Sequence, residues 1–95
     1  MKRFEFIMDQ SIAEDFFSLC QANGVGNFYT RTERVIGRGN QNPRMGDNVW
    51  PQSNTCIMIV APESQVPVFE RIVQQLRQYF PAEGVFCCCT DCQVL

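Results

Sequence analysis

The sequence predicts an α+β fold of βαββαβ order, in which a four-stranded antiparallel sheet carries both helices on one face. Three observations predict it. Two segments have apolar residues at helical spacing, four short segments have strand character, and the two kinds of segment alternate along the chain. This arrangement is the ferredoxin-like one, and residues 1–95 are expected to form a single domain.

The first helix is predicted from a capping signal followed by an apolar stripe. Residues 11–14 are Ser-Ile-Ala-Glu, a capping box in which both polar side chains accept hydrogen bonds from backbone N–H groups at a helix start. The apolar residues that follow share one helical face: Ile12, Phe16, Leu19 and Cys20. Asn23 and Gly24 predict the end of this helix.

The second helix is predicted to open at residues 62–64, Pro-Glu-Ser. Its apolar residues are spaced by three and four positions: Val66, Phe69, Val73, Leu76 and Phe80. Pro67 is tolerated because it lies close to the first turn, where a missing N–H breaks no helical hydrogen bond. Pro81 and Gly84 predict where this helix ends.

Four segments have the composition of strands. The first alternates polar and apolar residues, the second is aromatic and β-branched, and the third is an unbroken apolar run typical of a central strand. The fourth consists largely of cysteines, which pack as small hydrophobic residues in a strand. These segments are residues 3–8, 28–36, 55–60 and 85–89.

Composition and charge exclude several functional classes. Eight Lys and Arg against ten Asp and Glu give a net charge of −2, which argues against nucleic-acid binding. The absence of His excludes catalytic triads and Cys/His zinc sites that depend on it. The single Lys is Lys2, so no phosphate-binding loop lysine is expected. Without a signal peptide or an apolar run of membrane-spanning length, we expect a cytoplasmic protein that does not insert into membranes.

Residues 37–53 are expected to form a long loop between the two middle strands. They are seventeen residues, rich in Gly, Asn, Pro and Gln. Loops longer than about 12–15 residues are often functional, and Trp50 is unusual in a simple hairpin tip. Half of the cations lie in residues 31–46, as Arg31, Arg34, Arg38 and Arg44. They predict either anion recognition, which suits guanidinium groups, or a solvated set of arginines beside Glu33.

Residues 32–41 resemble the segment of the P-II signalling proteins and their P-II-like relatives that leads into the family's T-loop. This chain has Thr-Glu-Arg-Val-Ile-Gly-Arg-Gly-Asn-Gln there, and Gly37-Arg38 coincides with the family's last Gly-Arg pair. Residues 24–26 and 82–86 are similar to the starts of the family's second and last core strands. Val85, however, occupies the position of the family's lysine in the second of these segments.

The resemblance implies a homotrimer that binds ligands in clefts between subunits and docks on a partner protein through residues 37–53. Its ligand would be a small anion or a nucleotide, and no particular cofactor is predicted. The sheet's second face supports assembly, because Phe4, Phe6 or Ile7 and the central strand are too apolar to face water. The candidate ligand-binding residues are Gly37, Arg38, Gly39, Arg31, Arg34, Arg44 and Gly84.

A cysteine cluster at residues 87–92 is the second candidate site. Cys89 and Cys92 have C-x-x-C spacing, which suits a soft metal, persulfide chemistry or a reversible disulfide. They converge only if the strand ends near Thr90 and the chain turns. Asp91 disfavours a thiolate, so metal binding is favoured over redox chemistry, and ordinary packing over both. In a cytoplasmic protein the six cysteines are expected to be mostly reduced.

Two functions from different classes follow from the sequence. The first is a trimeric regulator that binds an anionic ligand and signals through residues 37–53. The alternative is a metal- or redox-responsive thiol protein that uses the cysteine cluster. An enzyme is not predicted, because the chain lacks His and offers no close pair of carboxylates with a catalytic geometry.

Overall fold

The structure, a computed structural model, describes residues 1–38 and 53–95. The predicted loop at 37–53 therefore lies almost entirely outside the described residues, and so do Gly39, Arg44 and Trp50. None of the helices in the described part of the chain is long and apolar enough to cross a membrane.

The predicted βαββαβ order is confirmed. The strands are β1 (Lys2–Asp9), β2 (Thr30–Val35), β3 (Asn54–Ala61) and β4 (Val85–Asp91), and the helices are α1 (Ala13–Ala22) and α2 (Val66–Tyr79). They form one antiparallel sheet with the order β2-β3-β1-β4. The second strand is shorter than the predicted 28–36, whereas the fourth extends beyond the predicted 85–89.

The core lies between the sheet and the two helices, and aromatic rings fill its centre. Phe4 and Phe6 project from β1 towards the helices, and both are almost fully buried. The ring centroid of Phe6 lies 4.7 Å from that of Phe16 on α1 and 5.3 Å from that of Phe69 on α2. Because both helices pack on this same layer of rings, they share one face of the sheet, as predicted.

The start of the first helix differs from the predicted capping box. A 3-10 turn, Gln10–Ile12, precedes α1, and Ile12 at the helix boundary provides no side-chain cap. The Asp9 carboxylate instead accepts a hydrogen bond of 2.9 Å from the Ser11 N–H. Because β1 runs to Asp9 and the chain turns immediately, the capping role falls to the last strand residue. At the other end, Gly24 adopts a φ of +67°, as the predicted stop requires.

A β-bulge shortens the regular part of β2. Thr32 is opposite Cys56, but the next pair is Val35 with Asn54, so β2 contains one residue more than β3 at this point. Arg34, within the bulge, has a φ of +59°, which is uncommon for a residue with a side chain. Pairing resumes after the bulge at Val35, and Gly37 and Arg38 follow just beyond the end of β2.

Candidate functional site

Gly37 and Arg38 follow β2 at the edge of the sheet. Arg38 is exposed, and Gly37 is half-buried beside β3. A Cβ atom added at Gly37 would lie 3.7 Å from Asn54 Nδ2, an ordinary contact distance, and the φ of Gly37 is not in the left-handed region. The unusual backbone conformation in this segment therefore belongs to Arg34 and not to Gly37. The exposed side chain of Arg38 is accessible to a ligand from solvent.

Gly84, the other glycine of the predicted site, lies at the opposite edge of the sheet. It directly precedes β4, whose first residue is held by α2: the Arg77 guanidinium donates two hydrogen bonds, of 3.1 and 2.8 Å, to the Val85 carbonyl. With strands about 4.8 Å apart, β2 and β4 are about 14 Å apart. The register places the end of β2 and the start of β4 at the same end of the sheet.

Arg31 differs from Arg34 and Arg38 in its surroundings. Arg31 is opposite Ile57, a core residue, so its side chain lies on the face that carries the helices. Its Nε donates to the Thr55 hydroxyl at 2.9 Å. Arg34 is exposed within the bulge. The structure thus places Arg31 half-buried on the helix side, whereas Arg34 and Arg38 are exposed, which their spacing in the sequence did not indicate.

The face of the sheet opposite the helices, here called the open face, carries an apolar patch among polar residues. Phe4 and Phe6 belong to the helix side, whereas Ile7 belongs to the open face. Its other apolar residues come from the central strand β3 and the edge strand β4: Cys56, Met58, Val60 and Phe86. An ion pair of 3.1 Å between Arg3 and Glu5 lies on the same face. No element of the described chain covers this surface.

The cysteine cluster is divided between the two faces of β4. Cys87 and Cys89 are opposite Phe6 and Phe4, on the helix side, whereas Cys88 lies on the open face. The strand ends at Asp91, one residue beyond Thr90, so Cys89 lies within β4 and Cys92 directly follows it. Metal binding by Cys89 and Cys92 stays a prediction. No group of three or more potential metal ligands occurs among residues 1–38 and 53–95.

Burial holds the inner thiols in the protonated form. It raises the pKa of Cys20 to about 12. The pKa of Cys87 is also raised to about 12, mainly by burial and then by the neighbouring Cys88 and Cys89. All six cysteines are free thiols. Since the thiolate is the reactive form, this environment favours packing over redox chemistry at Cys20 and Cys87.

Lys2 was not indicated by the sequence as a neighbour of the cysteine cluster. Its ammonium donates a hydrogen bond of 2.5 Å to the carboxylate of Asp91, its register partner on β4. This hydrogen bond lowers the pKa of Asp91 and raises that of Lys2. The two residues are 89 positions apart, so only the pairing of β1 with β4 brings this charge to the cluster.

Alkylation with iodoacetamide at mildly alkaline pH is expected to modify Cys89 well before Cys20 and Cys87. Cys89 is exposed on the edge strand, whereas the other two are shielded and have raised pKa values. Mass spectrometry of digested samples over time gives the order of modification. Equal rates in the native protein would contradict the described burial, and unfolding in urea should remove the difference.

Comparisons with known proteins give structural relatives only. No protein-family model matches the chain, and no curated protein matches it. CPII from Thiomonas intermedia K12, solved with ADP and bicarbonate, is 22% identical with a TM-score of 0.76, over 98% of this chain and 86% of that one. A structure of CPII with ADP, AMP and bicarbonate is 20% identical with a TM-score of 0.73, over 98% and 92%.

A PII-like signalling protein from Thermus thermophilus is also similar. It is 21% identical with a TM-score of 0.61, over 94% of this chain and 83% of that one. These similarities cover nearly the whole described fold and involve proteins of the type that residues 32–41 resemble. The resemblance to P-II-like proteins is therefore confirmed at the level of the fold, which is the ferredoxin-like fold of those proteins.

Proposed function

We propose that this chain is a divergent P-II-like regulatory protein: a non-enzymatic, cytoplasmic homotrimer that binds a small anionic or nucleotide ligand between its subunits. In this proposal residues 37–53 dock on a partner protein, as the resemblance implies. The observation that carries the proposal is that the two halves of the candidate ligand site lie at opposite edges of one sheet.

Within a single chain these two halves do not meet. Arg38 follows one edge strand and Gly84 precedes the other, across about 14 Å of sheet. They lie at the same end of the sheet, however. In a closed ring of copies, the β2 edge of one subunit can face the β4 edge of the next, which would complete a site from both halves. The separation thus favours a site between subunits over one within a subunit.

The open face supports the same assembly. It exposes side chains from both central strands and from β4, among them Phe86 with 52% of its surface accessible. Contiguous apolar surfaces of this kind are typical of protein–protein interfaces. Sheets that face one another in a trimer would bury the open face and leave the helices outside.

The choice of ligand rests on charge and on the structural relatives. Arg38 presents an exposed guanidinium, which is suited to two-pronged contacts with phosphate or carboxylate. CPII, whose fold this chain shares, has been solved with ADP together with bicarbonate. ADP, with and without bicarbonate, is therefore the first ligand to test.

Arg38→Ala is expected to weaken ADP binding by about 1.5–3 kcal/mol, the range for a hydrogen bond to a charged group. Isothermal titration calorimetry on the parent and the variant measures this difference. Arg71→Ala is the matched control, because it removes one exposed positive charge from α2, far from the edge of β2. We expect Arg71→Ala to bind ADP as the parent does.

Two results would count against distinct parts of the proposal. ADP affinity that is unchanged in Arg38→Ala would remove this residue from the site while leaving a ligand site elsewhere open. A parent protein that binds neither ADP nor bicarbonate, alone or together, would contradict the proposed nucleotide and anion site. Native mass spectrometry of the same samples reports the number of subunits and of bound ligands in one measurement.

A further inference from the structure

The helix side of the sheet carries a cleft of about 350 Å³ between α1 and β2. It is here called the helix-side cleft. One wall is Phe17 of α1, whose ring centroid lies 4.6 Å from that of Tyr29. Arg31 lines the cleft as well. Arg38, which lies beyond the end of β2, is not among the residues that line this cleft.

The backbone beside the cleft is closely fitted to α1. Gly26 has a φ of +72°, and a Cβ atom there would lie 3.1 Å from both Cβ and Sγ of Cys20. Such a contact is too close to be accommodated without movement, so the chain passes α1 at this distance only because the residue is Gly. This close passage fixes the segment that leads to Tyr29.

A hydrogen bond to a buried side chain of the core fixes the Arg31 guanidinium. Its Nε donates to Thr55 Oγ1 at 2.9 Å, and that hydroxyl donates to the Thr32 carbonyl at 3.2 Å. Thr55 is fully buried, so the anchor is a rigid part of the core. The Cζ atom of Arg31 lies 5.8 Å from the Phe17 ring centroid, within the range of a cation–π contact. Only 20% of the Arg31 side chain is exposed.

The terminal nitrogens of Arg31 are less well satisfied than its Nε. Nη1 lies 3.8 Å from a carboxylate oxygen of Glu14 and 3.8 Å from one of Glu33. Both distances exceed the 2.7–3.2 Å of a hydrogen bond. The two carboxylates are largely exposed, at 85% and 64%, so their attraction to Arg31 is screened by water. A ligand carboxylate in the cleft can make the shorter contacts that these two do not.

We propose that the helix-side cleft binds a small planar aromatic carboxylate, with its ring against Phe17 and Tyr29 and its carboxylate on the terminal nitrogens of Arg31. Planar aromatic ligands gain from contact with aromatic rings in addition to the area that they bury. A singly charged carboxylate suits the cleft better than a doubly charged phosphate, because Glu14 and Glu33 repel the second charge. This site goes beyond the proposed function and does not require assembly.

Benzoate at millimolar concentration is the first probe, with backbone amide shifts in ¹⁵N-labelled protein as the readout. We expect shifts at residues 25–31 that saturate with benzoate, and much smaller ones with benzamide, which lacks the charge. Arg31→Gln should raise the Kd for benzoate at least about tenfold, because charge-assisted hydrogen bonds are lost. Glu14→Gln should lower it about two- to fivefold, the range for one exposed ion pair.

Glu70→Gln is the matched control for Glu14→Gln, since it removes an exposed carboxylate on the other helix. If Arg31→Gln fails to fold, the Kd values of Glu14→Gln and Glu70→Gln for benzoate still test the proposal. The proposal is overturned if benzamide shifts the same residues as strongly, or if Glu14→Gln and Glu70→Gln bind benzoate equally well. Tighter binding of phenyl phosphate than of benzoate would overturn the choice of a carboxylate.

Discussion

Met58→Asp is expected to convert the proposed trimer into monomers. Met58 lies on the open face at the centre of β3, opposite Glu5 of β1, and is partly exposed in the single chain. In a trimer whose sheets face one another, the substitution would bury one unpaired carboxylate from every subunit. The desolvation penalty of a buried ion is several kcal/mol, which is enough to disrupt an interface. Sedimentation velocity at matched concentrations of parent and variant measures the change.

Alkylation of Cys88 provides a second readout for the same variant. Cys88 lies on the open face, whereas Cys89 lies on the helix side of the same strand. Dissociation should therefore speed the modification of Cys88 and leave that of Cys89 unchanged. Gln75→Asp, on the exposed side of α2, is the matched control and should keep the parent's mass. A parent that sediments as a stable monomer, or a Met58→Asp variant that stays trimeric, would contradict the proposed interface.

Phe6→Ala is expected to lower the free energy of unfolding by about 3–5 kcal/mol, as for other large aromatic residues truncated in a core. Phe6 is fully buried, and its ring contacts rings from both helices. The substitution leaves a cavity at the point where α1, α2 and β1 meet. This loss is a large fraction of the roughly 5–15 kcal/mol that stabilises a typical domain. Urea unfolding followed by circular dichroism gives the difference.

Phe28→Ala is the control for Phe6→Ala, because the Phe28 side chain is 87% exposed. We expect its free energy of unfolding to stay within about 0.5 kcal/mol of the parent's. Both variants should be unfolded at several protein concentrations, since assembly adds to apparent stability by mass action. Equal losses in the two variants would show that the ring cluster around Phe6 is not the centre of the core.

The two arginines at positions 31 and 38 show why spacing alone did not define the candidate site. Both lie in a short, Arg-rich segment that predicts anion recognition. Arg31 is opposite the buried Ile57 and contacts α1, whereas Arg38 follows the bulge and is exposed. Anion recognition at either position remains a proposal. What the fold adds is that Arg31 lies on the helix side of the sheet, whereas Arg38 lies beyond the end of β2.

Local patterns in the sequence predict the order of elements and most of the residues that the helices bury, although the fully buried Ile72 was not among them. Apolar spacing in a helix and alternation in a strand are local properties, since they depend on residues a few positions apart. Phe16 on α1 and Phe69 on α2 lie in the core as their spacing predicts. The stop at Gly24 is also local, because it requires only a positive φ at one residue. The P-II-like resemblance depended in the same way on short contiguous segments.

The partners that these elements bring together depend on how the chain folds in three dimensions. Strand register placed Lys2 beside Asp91 and Arg31 on Thr55, and it assigned Phe6 to the core and Ile7 to the open face. The length of β4, which runs to Asp91 and so keeps Cys89 within the strand, was likewise not predicted from its composition. Such contacts join residues that are distant in the chain or depend on where a strand ends. The pairing between strands sets these contacts and the strand ends, and no local pattern of residues specifies that pairing.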